Sequence, residues 1–280
     1  MNLDELRTFL EVVDSGSLIA ASRRLHVTPS TVTARLSTLE AEIGQKLLHR
    51  NKTGAELTSA GFKLQRYAEL MTQLWRQARY EVSLPQGFQG VCNVGLEFDL
   101  WRALGERFLE YVREHCPGVA VALWPGERHQ LDRWLGSGLV DLAFCYLPKA
   151  GEDFASRALF DDPLWLVATW APAAAPLDTG YVYVDHGDEF RRQHAAAFAG
   201  ERPAPITIAS SDWALEHLLR RGGCGYLPRR HVRAFVEAGT LHRVADAPVF
   251  QRRVYVVESA QVVQRWDWYP DAIAACLPRD

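Results

Sequence analysis

The sequence predicts an α/β protein in two parts, a small helical N-terminal unit and a larger unit in which strands and helices alternate. Three observations lead to this prediction. Apolar residues recur at helical spacing up to about residue 82, and a stretch of turn-forming residues follows at 83–90, SLPQGFQG. Strand-like and helix-like segments then alternate towards the C-terminus. A chain of 280 residues has room for two such units.

The composition limits the classes of protein to consider. The chain is 48% hydrophobic with a formal net charge of −3, so it can form ample cores and is not basic as a whole. Its five cysteines are far apart and form no CxxC pair, which argues against a disulfide framework and a zinc site. The opening MNLDELRTFL lacks an apolar run, and no segment approaches the roughly 20 apolar residues that cross a membrane. We therefore expect reduced, buried thiols in a cytoplasmic protein with no signal peptide and no membrane partner.

The N-terminal residues predict three short helices. Apolar residues at helical spacing over 3–13 form the first helix, and Gly16 ends it. Ser17 is a typical N-cap for a second helix over 18–25. Thr28 caps the third helix, and Pro29 occupies its first position, where a missing N–H is tolerated. Two helices joined by a tight turn are therefore expected at residues 17–44.

The third helix has a predicted buried stripe and a polar outer face. The stripe is spaced 4, 3 and 4 and consists of Val32, Leu36, Leu39 and Ile43. The candidate DNA-binding residues lie at the helix start and on its outer face: Thr28, Ser30, Thr31, Thr33 and Arg35. Hydroxyls reach phosphates or base edges, and an arginine can bind guanine O6 and N7. An ordinary three-helix domain with a polar surface is the alternative.

A basic hairpin is predicted directly after the third helix. In LLHRNKTGAELT two strand-like pieces flank residues 51–54, with glycine at the turn. Arg50 and Lys52 would meet the phosphates or the minor groove of double-stranded DNA, as the wing of such a domain does. Residues 20–66 hold eight basic and three acidic side chains, a local charge of about +5. A merely solvated helical face would also account for this charge, so both interpretations stay open.

A long helix is predicted from Thr58 to about residue 82. Its apolar residues form a heptad seam at spacings of 4, 3, 4, 3 and 4: Leu64, Ala68, Met71, Trp75, Ala78 and Val82. A seam of this length favours a dimerisation element, and packing against its own domain is the alternative. A two-fold dimer would present two copies of the third helix to a pseudo-palindromic DNA site.

Residues 1–83 resemble the DNA-binding domain of LysR-type transcriptional regulators. The resemblance rests on LRTFLEVVDSGSLIAASRRLHVT, on LSTLEAEIG, on LLHR before the wing and on LTSAG at the start of the long helix. This chain departs from the family's pattern at Pro29, where a glutamine is usual, and at Ala34, where an arginine is common. Its DNA target can therefore differ from that of other members. TVTARL and the short chain are also similar to a subgroup that includes flagellar-gene regulators.

Strand-like and helix-like segments alternate from residue 91 onwards. Strands are expected at VCNVGLEF, VAVALWPG, VDLAFCYL, PLWLVATW, YVYVDHG, ITIAS, CGYLP and RRVYVVES. Helices are expected over 100–115, 128–138, 190–198, 213–221, 232–238 and 262–277. This alternation predicts an α/β fold with largely parallel sheets.

The second part resembles the effector-binding domain of the same family, which is similar in fold to periplasmic solute-binding proteins. VDLAFCY, PLWLVAT and GGCGYLP carry the likeness. The resemblance implies a winged helix-turn-helix domain over 1–58, a linker helix and hinge over 59–90, and a two-lobed effector-binding domain over 91–280. Lobe one would comprise 91–164 and 256–280, and lobe two 165–255. It also implies a small-molecule effector, a homodimer or homotetramer, and RNA polymerase as a candidate partner.

The effector site is expected between the lobes, where ligands bind at the carboxyl ends of strands. The candidate residues follow the strands: Glu97, Phe98, Asp99, Trp101, Gly126, Glu127, Tyr146, Asp185, Ser210 and Ser211. Their carboxylates and aromatic rings favour a cationic or polyhydroxylated effector over a simple organic anion. Helix capping is the alternative role for Asp99 and Asp212, and a closed cleft without an effector is a further alternative.

Two other classes of protein fit less well. No GxSxG, HExxH or Walker motif occurs, and neither the pair of Asp185 and His186 nor Cys224 alone indicates catalysis. We therefore expect no enzyme activity, no cofactor and no metal. A free-standing solute-binding protein is disfavoured by the DNA-binding unit, and binding of a small molecule without any DNA binding would restore it. The sequence thus predicts a sequence-specific, effector-modulated transcriptional regulator associated with the nucleoid.

Overall fold

The computed structural model describes residues 2–51, 54–148, 154–171, 180–199 and 203–278. The chain divides into two compact units, Met1–Gln86 and Gly87–Asp280. Within the described residues no helix is long and apolar enough to cross a membrane.

Helices and one hairpin build the first unit. Its elements are α1 (Leu3–Ser15), α2 (Leu18–Arg24), α3 (Pro29–Ile43), β1 (Leu48–Asn51), β2 (Gly54–Leu57) and α4 (Ser59–Val82). The hydroxyls of Ser17, Thr28 and Thr58 accept N–H groups at the starts of α2, α3 and α4. Gly16 (φ 65°) ends α1 and Gly44 (φ 71°) ends α3, each in the left-handed conformation that glycine adopts without strain. Local sequence signals therefore set these boundaries.

The core of the first unit lies where α1 packs on α3. Phe9 of α1 is fully buried there, together with Val32, Leu36 and Leu39 of the predicted stripe. Ile43, the fourth predicted member, is 41% exposed, because α3 ends at this residue and Gly44 turns the chain away. The prediction that Ile43 is buried was wrong.

Strands and helices alternate in the second unit. It begins with β3 (Gly90–Leu96), α5 (Glu106–His115), β4 (Val119–Pro125), α6 (Arg128–Gly136), β5 (Leu142–Cys145), β6 (Phe154–Asp161), β7 (Leu164–Ala168) and β8 (Val182–Val184). It continues with α7 (Asp188–Ala197), β9 (Ile206–Ile208), α8 (Ser211–Arg221), β10 (Cys224–Pro228), α9 (Arg229–Glu237), β11 (His242–Arg243), β12 (Arg253–Ser259), α10 (Ala260–Arg265) and α11 (Tyr269–Cys276). A 3₁₀ turn, Phe98–Leu100, and a π turn, Trp101–Gly105, precede α5.

The strands form two lobes. In lobe one the strand order is β4-β3-β5-β12-β6, and β3 runs parallel to β4 and β5. In lobe two β7 lies between β10 and β11, and the parallel pair β8–β9 joins β10 through a bridge from Tyr181 to Cys224. However, β12 is antiparallel to both β5 and β6, and β7 is antiparallel to β10 and β11. Because β12 enters lobe one from the other lobe and not through a returning helix, the prediction of largely parallel sheets holds for only part of the fold.

Two further differences from the sequence prediction concern lobe one. The strand β6 was missed, because FASRALFD is mostly exposed and lacks a clear apolar alternation. The last helix was predicted as one element, but α10 ends before Trp266 and α11 begins at Tyr269 with Pro270 in its first turn. A proline there removes an N–H that a continuous helix would need.

Two chain segments cross between the lobes side by side. The N–H of Asp162 donates to the carbonyl of Arg252 at 2.6 Å, and the N–H of Leu164 donates to that of Phe250 at 2.8 Å. The first segment leads from β6 to β7 and the second leads into β12. These paired segments form the hinge on which the site between the lobes is built.

Candidate functional site

The start of α3 presents a cluster of hydroxyls to solvent. The oxygen of Thr28 accepts the N–H of Thr31 at 3.2 Å and lies 2.8 Å from the hydroxyls of both Ser30 and Thr31. Thr33 donates to the carbonyl of Pro29 at 3.0 Å. Thr28, Ser30 and Thr33 are exposed, and Thr31 is half-buried. The structure thus places the four predicted hydroxyl residues at the start of α3, with Thr28 in contact with both Ser30 and Thr31.

Arg35 points away from this cluster. One terminal nitrogen lies 3.3 Å from a carboxylate oxygen of Asp4, and the other lies 3.3 Å from the hydroxyl of Thr8, both on α1. The Arg35 side chain is only 29% exposed. This placement differs from the free, base-reading side chain that the sequence predicts, since the guanidinium braces α3 against α1.

The hairpin is fixed to the rest of the first unit at its second strand. β1 and β2 pair in antiparallel register, and the N–H of Ala55 donates to the carbonyl of Gly16 at 2.8 Å. A Cβ on Gly54 would lie 2.5 Å from that carbonyl oxygen, so only glycine fits this approach. Lys52 lies outside the described residues, and so does the side chain of Arg50.

Glu40 of α3 anchors the start of the hairpin, although no pattern in the sequence indicated this role. Its carboxylate is 4% exposed and accepts the N–H of Leu47 at 3.0 Å, the N–H of Leu48 at 3.4 Å and the ammonium of Lys46 at 2.8 Å. Burial works to raise the pKa of Glu40, but these three donors outweigh it and hold the pKa below its usual range. The carboxylate therefore fixes the start of the hairpin relative to α3.

The heptad seam of α4 has two different halves. Leu64, Ala68 and Met71 pack against the core of the first unit, as the alternative interpretation expected. Trp75 and Val82, in the second half, are 46% and 87% exposed. The apolar seam thus continues beyond the part that its own domain covers.

An open cleft of about 790 Å³ lies between the lobes of the second unit. Seven predicted effector residues line it: Glu97, Phe98, Asp99, Gly126, Glu127, Tyr146 and Asp185. Trp101, Ser210 and Ser211 do not belong to its described lining, although Ser211 contacts Asp99. The structure therefore brings most of the predicted set to one cleft.

The cleft is acidic, but part of that charge is already compensated. Its described lining holds seven carboxylates and four guanidinium groups, which leaves an excess of negative charge. Arg191 lies 2.5 Å from Asp185 and also pairs with Asp188. Burial raises the pKa of Glu97, whereas the N–H of Tyr146 at 3.1 Å works in the opposite direction. A positive charge brought close to Glu97 would act against this effect of burial and lower its pKa.

Asp99 reaches from lobe one into lobe two. Its carboxylate accepts the N–H of Ser211 at 3.0 Å and the hydroxyl of Ser211 at 2.6 Å, at the N-terminus of α8. The guanidinium of Arg252 lies 3.6 Å away. Burial works to raise the pKa of Asp99, but the charge of Arg252 and the hydrogen bond from Ser211 hold it well below the usual range. The group is therefore a buried anion that spans the two lobes.

A buried network supports this contact from the hinge. The hydroxyl of Tyr146 donates to Asp162 at 3.0 Å and accepts from both Arg230 and Arg252, each at 3.0 Å. Asp162 also pairs with Arg230 at 3.0 Å and with Arg252 at 3.1 Å. The guanidinium carbon of Arg252 lies 3.9 Å from the ring centroid of Tyr146. Two carboxylates, counting Asp99, thus balance two guanidinium groups.

Two buried histidines in this region are neutral. Burial and the charge of Arg252 lower the pKa of His186, whose Nε2 donates to the carbonyl of Tyr226 at 2.8 Å. The other ring nitrogen then accepts from Arg252 at 3.2 Å, so the ring carries a single proton. Burial, with a further contribution from Arg230, lowers the pKa of His231 to about 3. No spacing pattern in the sequence relates the members of this network to one another, because they come from distant segments.

Comparisons with known proteins agree with this architecture. Residues 3–62 match the family model for bacterial regulatory helix-turn-helix proteins of the lysR family, and residues 85–263 match that for the LysR substrate binding domain. The HTH-type transcriptional regulator HdfR of Salmonella schwarzengrund is 28% identical over 260 residues, which is 92% of each chain.

Two solved structures show the same fold. Full-length CbnR in complex with its target DNA has a TM-score of 0.71 and 17% identity, and the match covers 99% of this chain and 100% of that one. Full-length LysG of Corynebacterium glutamicum with bound effector Arg has a TM-score of 0.55 and 19% identity, covering 99% and 98%.

The fold and its two sites define a DNA-binding regulator with a ligand cleft. Because the two family models together match most of the sequence, the chain belongs to the LysR family of bacterial regulatory helix-turn-helix proteins. It is a DNA-binding transcriptional regulator with an effector-binding domain, and the family is one of regulators, not of enzymes.

Proposed function

We propose that this regulator binds dyad-symmetric promoter DNA through α3 and the wing, and that a small effector in the cleft between the lobes modulates it. The observation that carries the DNA site is the exposed hydroxyl cluster at the start of α3. Thr28, Ser30, Thr31 and Thr33 contact base edges or phosphates in the major groove. Arg50 and Lys52 of the wing contact the DNA backbone and add salt-dependent affinity.

Arg35 has a different role in this proposal. Its contacts with Asp4 and Thr8 support a positioning function, in which it holds α3 at the angle that the groove requires. Base preference then belongs to the hydroxyl cluster, and the loss of Arg35 acts on affinity through helix orientation.

The protein assembles through α4 in this proposal. Trp75 and Val82 continue the seam beyond the part that packs on the first unit, and a second copy of the helix would cover them. Contacts between effector domains then join two dimers into a tetramer. Sedimentation of the full chain tests this: Trp75→Ser with Val82→Ser should shift the protein towards smaller species, and an unchanged distribution would contradict the α4 dimer.

The effector in this proposal is cationic or polyhydroxylated. The excess of carboxylates in the cleft lining supports it, and so does the buried position of Glu97. LysG, which shares the fold, binds arginine as its effector. Binding favours one relative placement of the lobes, and this shift is transmitted to the DNA-binding domains.

A thermal-shift panel tests the class of effector. Arginine, putrescine, glucose and succinate are compared as separate additives, because a ligand of the folded state raises the unfolding midpoint in a saturable way. We expect a saturable rise of the unfolding midpoint with an amine, a guanidine or a polyol. This rise should disappear in Glu97→Gln but persist in the control variant Glu189→Gln. Saturation with succinate alone would contradict the proposed class.

We further propose that the regulator works in the cytoplasm, associated with the nucleoid, and that RNA polymerase is a partner at its promoters. These proposals follow from its membership of a family of bacterial DNA-binding regulators. Fluorescence microscopy of the tagged full chain tests the location, with co-localisation of label and DNA as the expected result.

A further inference from the structure

A position between the lobes that is suited to an anion is filled by the protein itself. The first N–H of α8 and the hydroxyl of the same residue, Ser211, point at the Asp99 carboxylate at 3.0 Å and 2.6 Å. A helix N-terminus of this length favours a negative charge. The guanidinium of Arg252 adds a positive charge 3.6 Å from the same carboxylate. These are the donors that a carboxylate ligand would use, and Asp99 occupies them.

The main chain of Asp99 is held by lobe two as well. A terminal nitrogen of Arg230 donates to the Asp99 carbonyl at 2.8 Å. Close by, Arg102 of lobe one lies 3.2 Å from Asp212 of α8. The 3₁₀ turn after β3 is therefore tied to lobe two through both the side chain and the main chain of Asp99. The adjacent ion pair of Arg102 and Asp212 also links the two lobes.

We propose that Asp99 is a built-in anion that takes the place of a carboxylate ligand at the α8 N-terminus and latches the two lobes together. This inference deepens the proposed function, since it concerns the regulation of the same cleft. Two consequences follow from it. The wild-type protein has no vacancy for a small carboxylate at this position, so its effector binds elsewhere in the cleft. Removal of the Asp99 carboxylate leaves Ser211 and Arg252 facing a space that formate can fill.

The test is rescue of the full-length chain by formate. Asp99→Ala removes a buried, paired carboxylate, and we expect its unfolding midpoint to fall by roughly 5–10 °C. Sodium formate should then raise the midpoint in a saturable way, by about 3 °C at tenfold over its dissociation constant, relative to equal sodium chloride. The wild type and Asp188→Ala, which loses an exposed carboxylate of the same cleft, should respond to formate no more than to chloride.

Three outcomes would overturn the proposal. The first is a formate response in Asp99→Ala no larger than in the wild type. The second is a response that survives the additional substitution Ser211→Ala, since the rescuing anion would then lie elsewhere. If Asp99→Ala does not fold, Asp99→Asn takes its place, because it keeps the volume of the side chain and removes the charge. The third outcome is an Asp99→Asn variant that is as stable as the wild type. The test uses neither DNA nor an effector, so its failure would leave the proposed DNA-binding and cation-binding functions untouched.

Discussion

Arg35 shows how a residue can make contacts other than those its sequence context suggests. It lies in the first half of α3, the helix proposed to enter the major groove, where an arginine can bind guanine. In the structure its terminal nitrogens contact Asp4 and Thr8 of α1. Pairing across 31 residues of sequence cannot be inferred from helical spacing, which places a residue on a face and does not choose its partner.

The Asp4 contact allows a direct prediction for Arg35. Arg35→Ala and Asp4→Asn should both weaken operator binding by about 1 kcal/mol or less, because the pair is partly exposed. Neither should change base preference, whereas Thr33→Ala should. Competition binding against operator variants measures both quantities. A large loss of affinity in Arg35→Ala with no loss in Asp4→Asn would show that Arg35 contacts DNA itself.

Among the elements of the first unit, the hairpin is anchored at its start by a buried carboxylate. Glu40 of α3 accepts the N–H groups of Leu47 and Leu48, which lead into β1. Glu40→Ala leaves these buried donors without an acceptor, and we expect a loss of about 2–4 kcal/mol in the free energy of unfolding. Lys46→Ala is the matched control, since its ammonium is 75% exposed and should contribute at most about 1 kcal/mol. Urea unfolding of both variants measures the difference, and equal losses would contradict the anchoring role.

The elements of the first unit were predictable because their signals are local. Ser17, Thr28 and Thr58 cap helices within three residues of their own position, and Gly16 and Gly44 end helices by their conformation. The second unit was predicted less well where a signal is weak or distant. The polar strand β6 was missed, and the antiparallel direction of β12 depends on its return from the other lobe.

In the larger unit, the two lobes of the effector domain are joined by contacts between segments that are distant in the sequence. Asp99 meets Ser211 across 112 residues, and Arg252 meets Tyr146 across 106. Seven of the ten predicted effector residues line the cleft, because they follow strands and the ends of neighbouring strands lie together. The sequence could not predict the guanidinium groups of Arg230 and Arg252, since no spacing rule relates them to their partners.

The buried network also predicts how stability depends on pH. The pKa of His231 is lowered to about 3, while the unfolded chain has an ordinary value of about 6.5. Between these values the unfolded state binds more protons, so stability is complete above pH 6.5 and falls as the pH decreases towards 3. When the pH is lowered from 7 to 5, the free energy of unfolding should fall less in His231→Gln than in the wild type, by up to about 2 kcal/mol. Urea unfolding at both pH values measures this difference. The exposed His129→Gln is the control, and equal slopes for all three proteins would contradict the assignment.

We propose above all that the exposed hydroxyl cluster of α3 reads DNA sequence. The most direct test is genome-wide footprinting of the purified full chain on fragmented DNA from its own source at physiological salt, beside the double variant Ser30→Ala with Thr33→Ala. We predict a few sharp, dyad-symmetric sites for the wild type that are weakened or lost in the variant. Diffuse binding by the wild type, or the same sites at the same strength in both proteins, would contradict the claim.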